Sequence, residues 1–268
     1  MRILGTGLTG TIGRFMSKVV TPIELDLSAN KATFSNLDFR SDDTLIHLGG
    51  VVGSSLVEKN LAYSRNVNIR GTKFLAETFK NKSAGKFVYL SSSHVYAPSN
   101  NRISENDKVD PISIYGSQKL EAETILQETF STEPNRLLIV RIFSILDWGG
   151  RSFTLSDGIH QLIKKNSSFN LFNVDDIRDF LTPKTVAQEV LAVSKSVNAF
   201  GIINLCSGEG TRVMDAAVRM LSESGFTVPW NNLKAGNSNV PVILGDPSRI
   251  EILINKKLSW LPGQYKST

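Results

Sequence analysis

Three glycines spaced three apart, Gly7, Gly10 and Gly13, follow directly on the apolar run Arg2-Ile3-Leu4 and open a segment of helical character. Few arrangements at the start of a chain restrict its fold as much. A strand that turns at once into a helix begins a βαβ unit. Glycines at the turn let the backbone bend tightly, approach a ligand and pack helix on sheet. The phosphates of a dinucleotide suit such a turn, because N–H groups at the start of a helix point toward them. The spacing therefore predicts a cofactor-binding turn built from Gly7, Gly10, Thr11, Ile12 and Gly13.

Strand-like and helix-like stretches then alternate. Residues 45–48, 86–90 and 136–142 are apolar and bounded by Gly, Ser or charge, as strands buried on both faces of a parallel sheet are. Residues 63–80 and 115–130 carry apolar positions at intervals of three and four and read as helices. This alternation predicts an α/β fold with a doubly wound parallel sheet. After Gly150 the pattern loosens into helices over 156–165, 184–197 and 213–222 and a strand over 201–206. The expected organisation is a dinucleotide-binding domain over 1–150, joined by part of 180–206, with 151–268 mainly a smaller substrate-binding lobe.

Composition narrows the function classes. The 30 basic and 25 acidic residues leave a net charge of +5, spread along the chain without a basic run. That is a solvated surface compatible with an anionic small ligand, and no nucleic-acid partner is expected. Cys206 is the single cysteine, which excludes an intrachain disulfide and suits a reducing compartment. No apolar run approaches the ~20 residues of a membrane span, and the N-terminus reads as a strand, not a signal peptide. A cytoplasmic protein is expected. His47, His94 and His160 lack ligand spacing, so no metal is expected.

Tyr115 and Lys119 are four residues apart, which sets them on one helix face, a turn from each other. A tyrosine with its ordinary pKa of about 10 is a poor acid–base at neutral pH. A neighbouring ammonium stabilises the phenolate and brings it toward working range. The strand over 86–90 delivers Ser91-Ser92-Ser93 to the carboxyl edge of the sheet, where open α/β sheets bind ligands. Ser92 can there hydrogen-bond an oxygen passing between alcohol and ketone, with Tyr115 as acid–base and Lys119 tuning it and holding the cofactor ribose. The cofactor is NAD or NADP. An acid ending the second strand, expected over 22–27, would hold the adenosine ribose and favour NAD; Asp26 lies closer to Gly13 than is usual and could instead meet the adenine edge. Arg14 and Lys31 could meet a 2′-phosphate or be surface charges.

With these residues in place, the chain resembles an extended short-chain dehydrogenase/reductase of the NAD-dependent epimerase/dehydratase type, whose fold is Rossmann-like. Residues 6–13 are similar to its TGxxGxxG turn, 45–50 to its fourth strand ending HLAA, 66–72 to its N-V-x-G-T helix signature, 91–97 to SSxxVYG and 115–119 to YxxxK. The resemblance implies Leu48 and Gly49 beside the cofactor, an asparagine supporting the sheet, and Ser92, Tyr115 and Lys119 as the catalytic group. Later, Arg178-Asp179-Phe180 resembles RDF, 204–210 resembles the NvgsG turn, and 246–249 with Trp260 and Pro262 resembles DpsR…lgWxP, all features of the branch acting on nucleotide sugars.

Departures from the family carry information too. Ser93 and His94 stand where dehydratases carry Asp and Glu, which disfavours dehydration. Ser144 replaces the asparagine of RxFN, and Val242-Ile243-Leu244 lacks the arginine before the closing Gly245-Asp246. The short 22–42 region is similar to that of 4-keto-sugar reductases. Substrate contacts are expected at Ser93, His94, Ser144 and Arg178. His94 is either an auxiliary acid or a strand-end histidine satisfied by backbone; Arg178 either clamps a diphosphate or pairs with Asp175 or Asp176.

The expectation is an NAD(P)-dependent oxidoreductase of nucleotide-sugar epimerase type, a 4-epimerase or 4-keto-sugar reductase. Two alternatives stand beside it: a reductase or dehydrogenase of a non-nucleotide alcohol or ketone, and a catalytically silent NAD(P)-sensing regulator. The family resemblance also implies a homodimer through the helices at 63–80 and 115–130.

Overall fold

The computed structural model describes residues 2–147, 173–223 and 242–259. In chain order its strands are β1 (Ile3–Thr6), β2 (Thr21–Pro22), β3 (Thr44–His47), β4 (Phe87–Ser92), β5 (Leu137–Ile142), β6 (Ser144–Ile145), β7 (Ile177–Leu181), β8 (Gly201–Leu205), β9 (Gly210–Arg212) and β10 (Val242–Ile243). The helices are α1 (Lys31–Ser35), α2 (Ser54–Lys59), α3 (Leu61–Arg65), α4 (Thr72–Lys82), α5 (Ile114–Thr129), α6 (Pro183–Lys195), α7 (Val213–Glu223) and α8 (Ser248–Ile254). Strands β2-β1-β3-β4-β5-β8 form one sheet in that lateral order, every neighbouring pair parallel. This is the Rossmann-type α/β fold the alternation predicts. The expected helix over 156–165, Trp260 and Pro262 lie outside the described residues.

Alternation within each central strand makes two cores. Val88 and Leu90 of β4 and Leu138, Val140 and Ile142 of β5 face α6 and α8, packing with Val186, Val190 and Ile250. Phe87 and Tyr89 of β4 and Leu137 and Ile139 of β5 face the opposite way, onto Leu75 and Phe79 of α4 and Leu126 of α5. Each such side chain taken out of water contributes about 1.5–3 kcal/mol, and the double burial explains why these strands are apolar on both faces. Caps fix the helix starts: Ser113 accepts from Gly116 N (3.1 Å), and Thr182, followed by Pro183, accepts from Thr185 N (3.1 Å).

Two expectations near the N-terminus are corrected. The helix after the glycine turn is a 3₁₀ segment of three residues, Gly13–Phe15, followed by turns. The β-branched Val19, Val20 and Thr21, with Pro22 after them, bound any helix here to before residue 21. A segment this short carries little macrodipole, and the phosphate argument from a helix start loses that support. The second strand, expected over 22–27, is only Thr21–Pro22, and α1 with its flanking turns fills the way to β3.

The smaller sheet orders β10-β7-β6, with β9 antiparallel to β7. One residue ties it to the main sheet. Asp179 of β7, fully buried, accepts hydrogen bonds from Ser207 N and Oγ (both 2.7 Å), Gly208 N (2.8 Å) and Gly245 N (3.2 Å). The three late motifs of the sequence thus converge on one carboxylate. Among the described residues, no helix is long and apolar enough to cross a membrane.

Candidate active site

β4 and α5 bring the expected catalytic group together. The end of β4 presents Ser92, and the first two turns of α5 present Tyr115 and Lys119, all three nearly buried. The Tyr115 phenol is pushed up to about 12 by burial, an effect that its hydrogen bond with the Ser92 side chain partly offsets. Lys119 Nζ donates to Leu90 O (2.8 Å) and Tyr89 Oη (3.2 Å) and lies 4.6 Å from the Tyr89 ring centroid. Burial lowers Lys119 to about 8, against the opposing pull of Glu123.

A cavity of about 420 Å³ is lined by Ser92, Tyr115 and Lys119, by Ile12 and Leu48 from the cofactor side, and by Ser93, His94, Ser144 and Arg178. A second cavity of about 280 Å³ adjoins it and is lined by those same last four residues, with apolar walls from Ile103, Ile112, Val242 and Ile243. The 3₁₀ turn after β4 supplies Ser93 and His94, while β6 and β7 supply Ser144 and Arg178. The His94 ring meets Tyr115 edge-on, centroids 5.7 Å apart. It lines the cavity wall, and desolvation by the surrounding protein, then Arg178, holds it below the usual imidazole range. Arg178 pairs with Asp176 (2.5 Å), as the second of its alternatives has it, and also lines the cavity.

The cofactor turn is shaped by its glycines unequally. Gly7 has φ +69°, the left-handed region, and a Cβ there would meet Gly49 N at 2.7 Å. A Cβ on Gly13 would meet Gly7 O at 2.4 Å and Leu8 Cα at 2.5 Å, whereas on Gly10 it would meet only Gly7 O, at 3.2 Å. Gly7 and Gly13 are thus required by packing against backbone, while Gly10 and Thr11 leave an open backbone surface of the kind a pyrophosphate approaches. Asp26 is exposed and accepts from Ser28 N (2.8 Å) and Oγ (2.7 Å), which hold its carboxyl below the usual range. Its neighbour Leu27 packs against Gly49 and Gly71, so Asp26 stands beside the end of β3 but is not among the cavity-lining residues. Arg14 pairs with Asp147 (2.6 Å) and Lys31 with Glu77 (3.2 Å), so both have acidic partners within the protein.

Two polar elements go beyond the sequence reading, which had only an asparagine of 66–72 supporting the sheet. His47, fully buried, bridges Thr6 Oγ1 (2.7 Å) and Thr72 Oγ1 (3.0 Å). Thr72 spends its proton on Asn68 O, so it accepts from Nε2–H, and Nδ1 accepts from Thr6. Burial, then Lys119, pushes His47 down to about 3, and it is neutral. Asn68 in turn takes Val51 N (2.7 Å) and donates to Val51 O and Gln118 Oε1, bracing the loop after β3 against α5. The second element is the buried pair Glu123–Arg141 (2.6 Å) behind the site; its signal was the spacing of Glu123, four residues after Lys119.

A family model described as "NAD dependent epimerase/dehydratase family" matches residues 9–206, well over half of the chain. The chain belongs to this family. Among curated members, it is 24% identical to UDP-glucose 4-epimerase 2 of Oryza sativa over 88% of this chain, and spans 62% of that relative's length. It is 23% identical to GDP-6-deoxy-D-talose 4-dehydrogenase of Aggregatibacter actinomycetemcomitans, covering 93% of this chain and 90% of the relative. The fold is shared with RMD from Pseudomonas aeruginosa, solved with NADPH (TM-score 0.83, 22% identity, 97% and 94% of the two chains). It is shared also with a UDP-glucose 4-epimerase from Thermotoga maritima, solved with UDP-glucose (TM-score 0.81, 17% identity, 96% and 93%). Members of the family are NAD(P)-dependent enzymes.

Proposed function

We propose that this epimerase/dehydratase-family enzyme interconverts a hydroxyl and a ketone on the sugar of a nucleotide sugar, as a 4-epimerase or a 4-keto-sugar reductase using NAD or NADP. The observation that carries the reading is the meeting of Ser92, Tyr115 and Lys119 with Ile12 and Leu48 around one cavity. The names of the curated relatives, 4-epimerases and a 4-dehydrogenase, agree with it.

The close-packed glycines Gly7, Gly13 and Gly49, with open backbone at Gly10, fit a dinucleotide, which would lie along the turn and reach Lys119. When bound, the nicotinamide supplies or accepts the hydride. Ser92 donates a hydrogen bond to the reacting sugar oxygen, and Tyr115 moves its proton. The high pKa of Tyr115 keeps the phenol protonated until positive charge gathers nearby, and the Lys119 ammonium contributes that charge. Ser93, His94, Ser144 and Arg178 orient the sugar. In this reading the sheet of β6, β7, β9 and β10 serves as the substrate lobe, and a homodimer forms through the helices at 63–80 and 115–130.

Proton NMR with NAD(P)H and a panel of nucleotide sugars and 4-keto forms, following cofactor absorbance in the same tube, tests the reading. Two sugars interconverting without net cofactor loss make it an epimerase, and one sugar reduced per cofactor oxidised makes it a reductase. No change with any nucleotide sugar overturns it. A second reading, a non-nucleotide alcohol or ketone, draws on the second cavity: among its described lining residues Arg178 is the one Lys or Arg, it is already paired with Asp176, and Val242 and Ile243 stand beside it.

A further inference from the structure

One buried ion pair has no part in the chemistry above. Glu123 lies one turn past Lys119 on α5, and both side chains are buried. Arg141 of β5 donates to its carboxylate through Nε (3.1 Å) and Nη2 (2.6 Å), and Ser91 Oγ at the end of β4 donates to it as well. A single carboxylate therefore ties the helix bearing Tyr115 and Lys119 to two central strands. The Ser91 proton is committed to Glu123, which leaves Ser92 as the hydroxyl of the triplet that meets Tyr115. Among the described residues, Arg141 Nη1 has no hydrogen-bond acceptor, and the guanidinium lies 4.6 Å from the Tyr96 ring centroid. Stability alone does not call for such a pair, since apolar side chains of similar volume often serve a core at least as well.

We propose that Glu123 is a positioning residue for Lys119: clamped by Arg141 and Ser91, its carboxylate sets a negative charge one helical turn from the ammonium and fixes the strand end that presents Ser92. This rests on the reading of Lys119 as a site residue. Lys119 meets Tyr89 and Leu90 from β4, His47 from β3, and Tyr115 and Glu123 from its own helix. It shares its cavity with His94, Asp176 and Arg178. His47 is held down at about 3, and burial holds the Tyr89 and Tyr115 phenols up. Between about pH 7 and 10, Lys119 is the member of this cluster that titrates.

Glu123→Gln keeps the shape and an acceptor for Ser91 while removing the charge. Urea unfolding from about pH 7 to 10 of the wild type, Glu123→Gln, Lys119→Met and the double variant isolates Lys119 as the part of the pH dependence that Lys119→Met abolishes. The folded-state value of Lys119 lies below its unfolded value. Its burial is therefore a penalty at lower pH, relieved as the pH rises through the folded value. In Glu123→Gln the relief should begin about one pH unit lower; an unchanged onset overturns the proposal.

If Glu123→Gln does not fold, Glu123→Met with Arg141→Met removes both charges. A downward shift is again expected, because Glu123, not Arg141, is the charge acting on Lys119, and an unchanged onset is again fatal. On a nucleotide sugar that the wild type turns over, the alkaline limb of kcat should move down by about the same unit, with KM for the sugar little changed. Absence of wild-type turnover counts against the proposed reaction alone, because the unfolding titration needs no substrate.

Discussion

At the scale of single residues, the proposed chemistry and the scaffold that holds it fall on different side chains. Tyr115→Phe removes one hydroxyl from a buried ring, so folding and cofactor binding should persist while turnover falls by about 10³-fold; isothermal titration beside a rate assay shows both. Asp179 is the opposite kind of residue. Asp179→Ala strands the N–H groups of Ser207, Gly208 and Gly245 in the interior. Each buried donor left unsatisfied costs about 1–3 kcal/mol, so a loss of roughly 3–5 kcal/mol is expected from urea denaturation. Tyr115, Lys119 and Ser92 could be read in the sequence because spacing on a helix and placement at a strand end are local properties. Asp179 could be quoted within its motif, but not its job, since its four donors come from turns 28 and 66 residues away.

At the scale of elements, the glycine turn offers a contrast that only the coordinates could supply. Gly13→Ala drives a methyl group into Gly7 O and Leu8 Cα, and should cost about 3 kcal/mol of stability. Gly10→Ala meets little, so stability should change by less than about 0.5 kcal/mol while the Kd for the dinucleotide rises about tenfold. Melting temperature against cofactor titration distinguishes the two. The central strands and α5 were legible because burial on both faces and a three-to-four repeat leave plain patterns. The shrinkage of the first helix was not, because three glycines and a short apolar run look the same whether one turn or four follow. The helix expected over 63–80 is present as α3, a π-helical stretch at Asn66–Gly71 and α4, and the π stretch was hidden likewise. A π-turn of this kind depends on what the side chains grip, here Asn68 on Val51 and Gln118, and not on propensity.

For the molecule as a whole, one contribution to acid resistance lies at the amino end of β3, where Asp43 precedes the strand. Burial pushes the Asp43 carboxyl up, but hydrogen bonds from the Arg2 side chain and Arg40 N outweigh it, and the group stands below the usual carboxylate range. A carboxyl lowered by folding contributes stability above its unfolded value and loses it as the pH falls through its folded value. Asp43→Asn should therefore be less stable than the wild type at pH 7, and the two should converge as the pH falls through the folded value of Asp43, as acid unfolding would show. The two adjoining cavities carry a different consequence. Ser93, His94, Ser144 and Arg178 are a party wall, and a bulkier side chain there narrows both rooms at once. Ala97, Pro98, Ile112 and Val242 line the smaller room alone. On the reading proposed above, that end can be refurnished by substitution without touching Ser92, Tyr115 or Lys119, so what such a protein accepts can change while what it does stays the same.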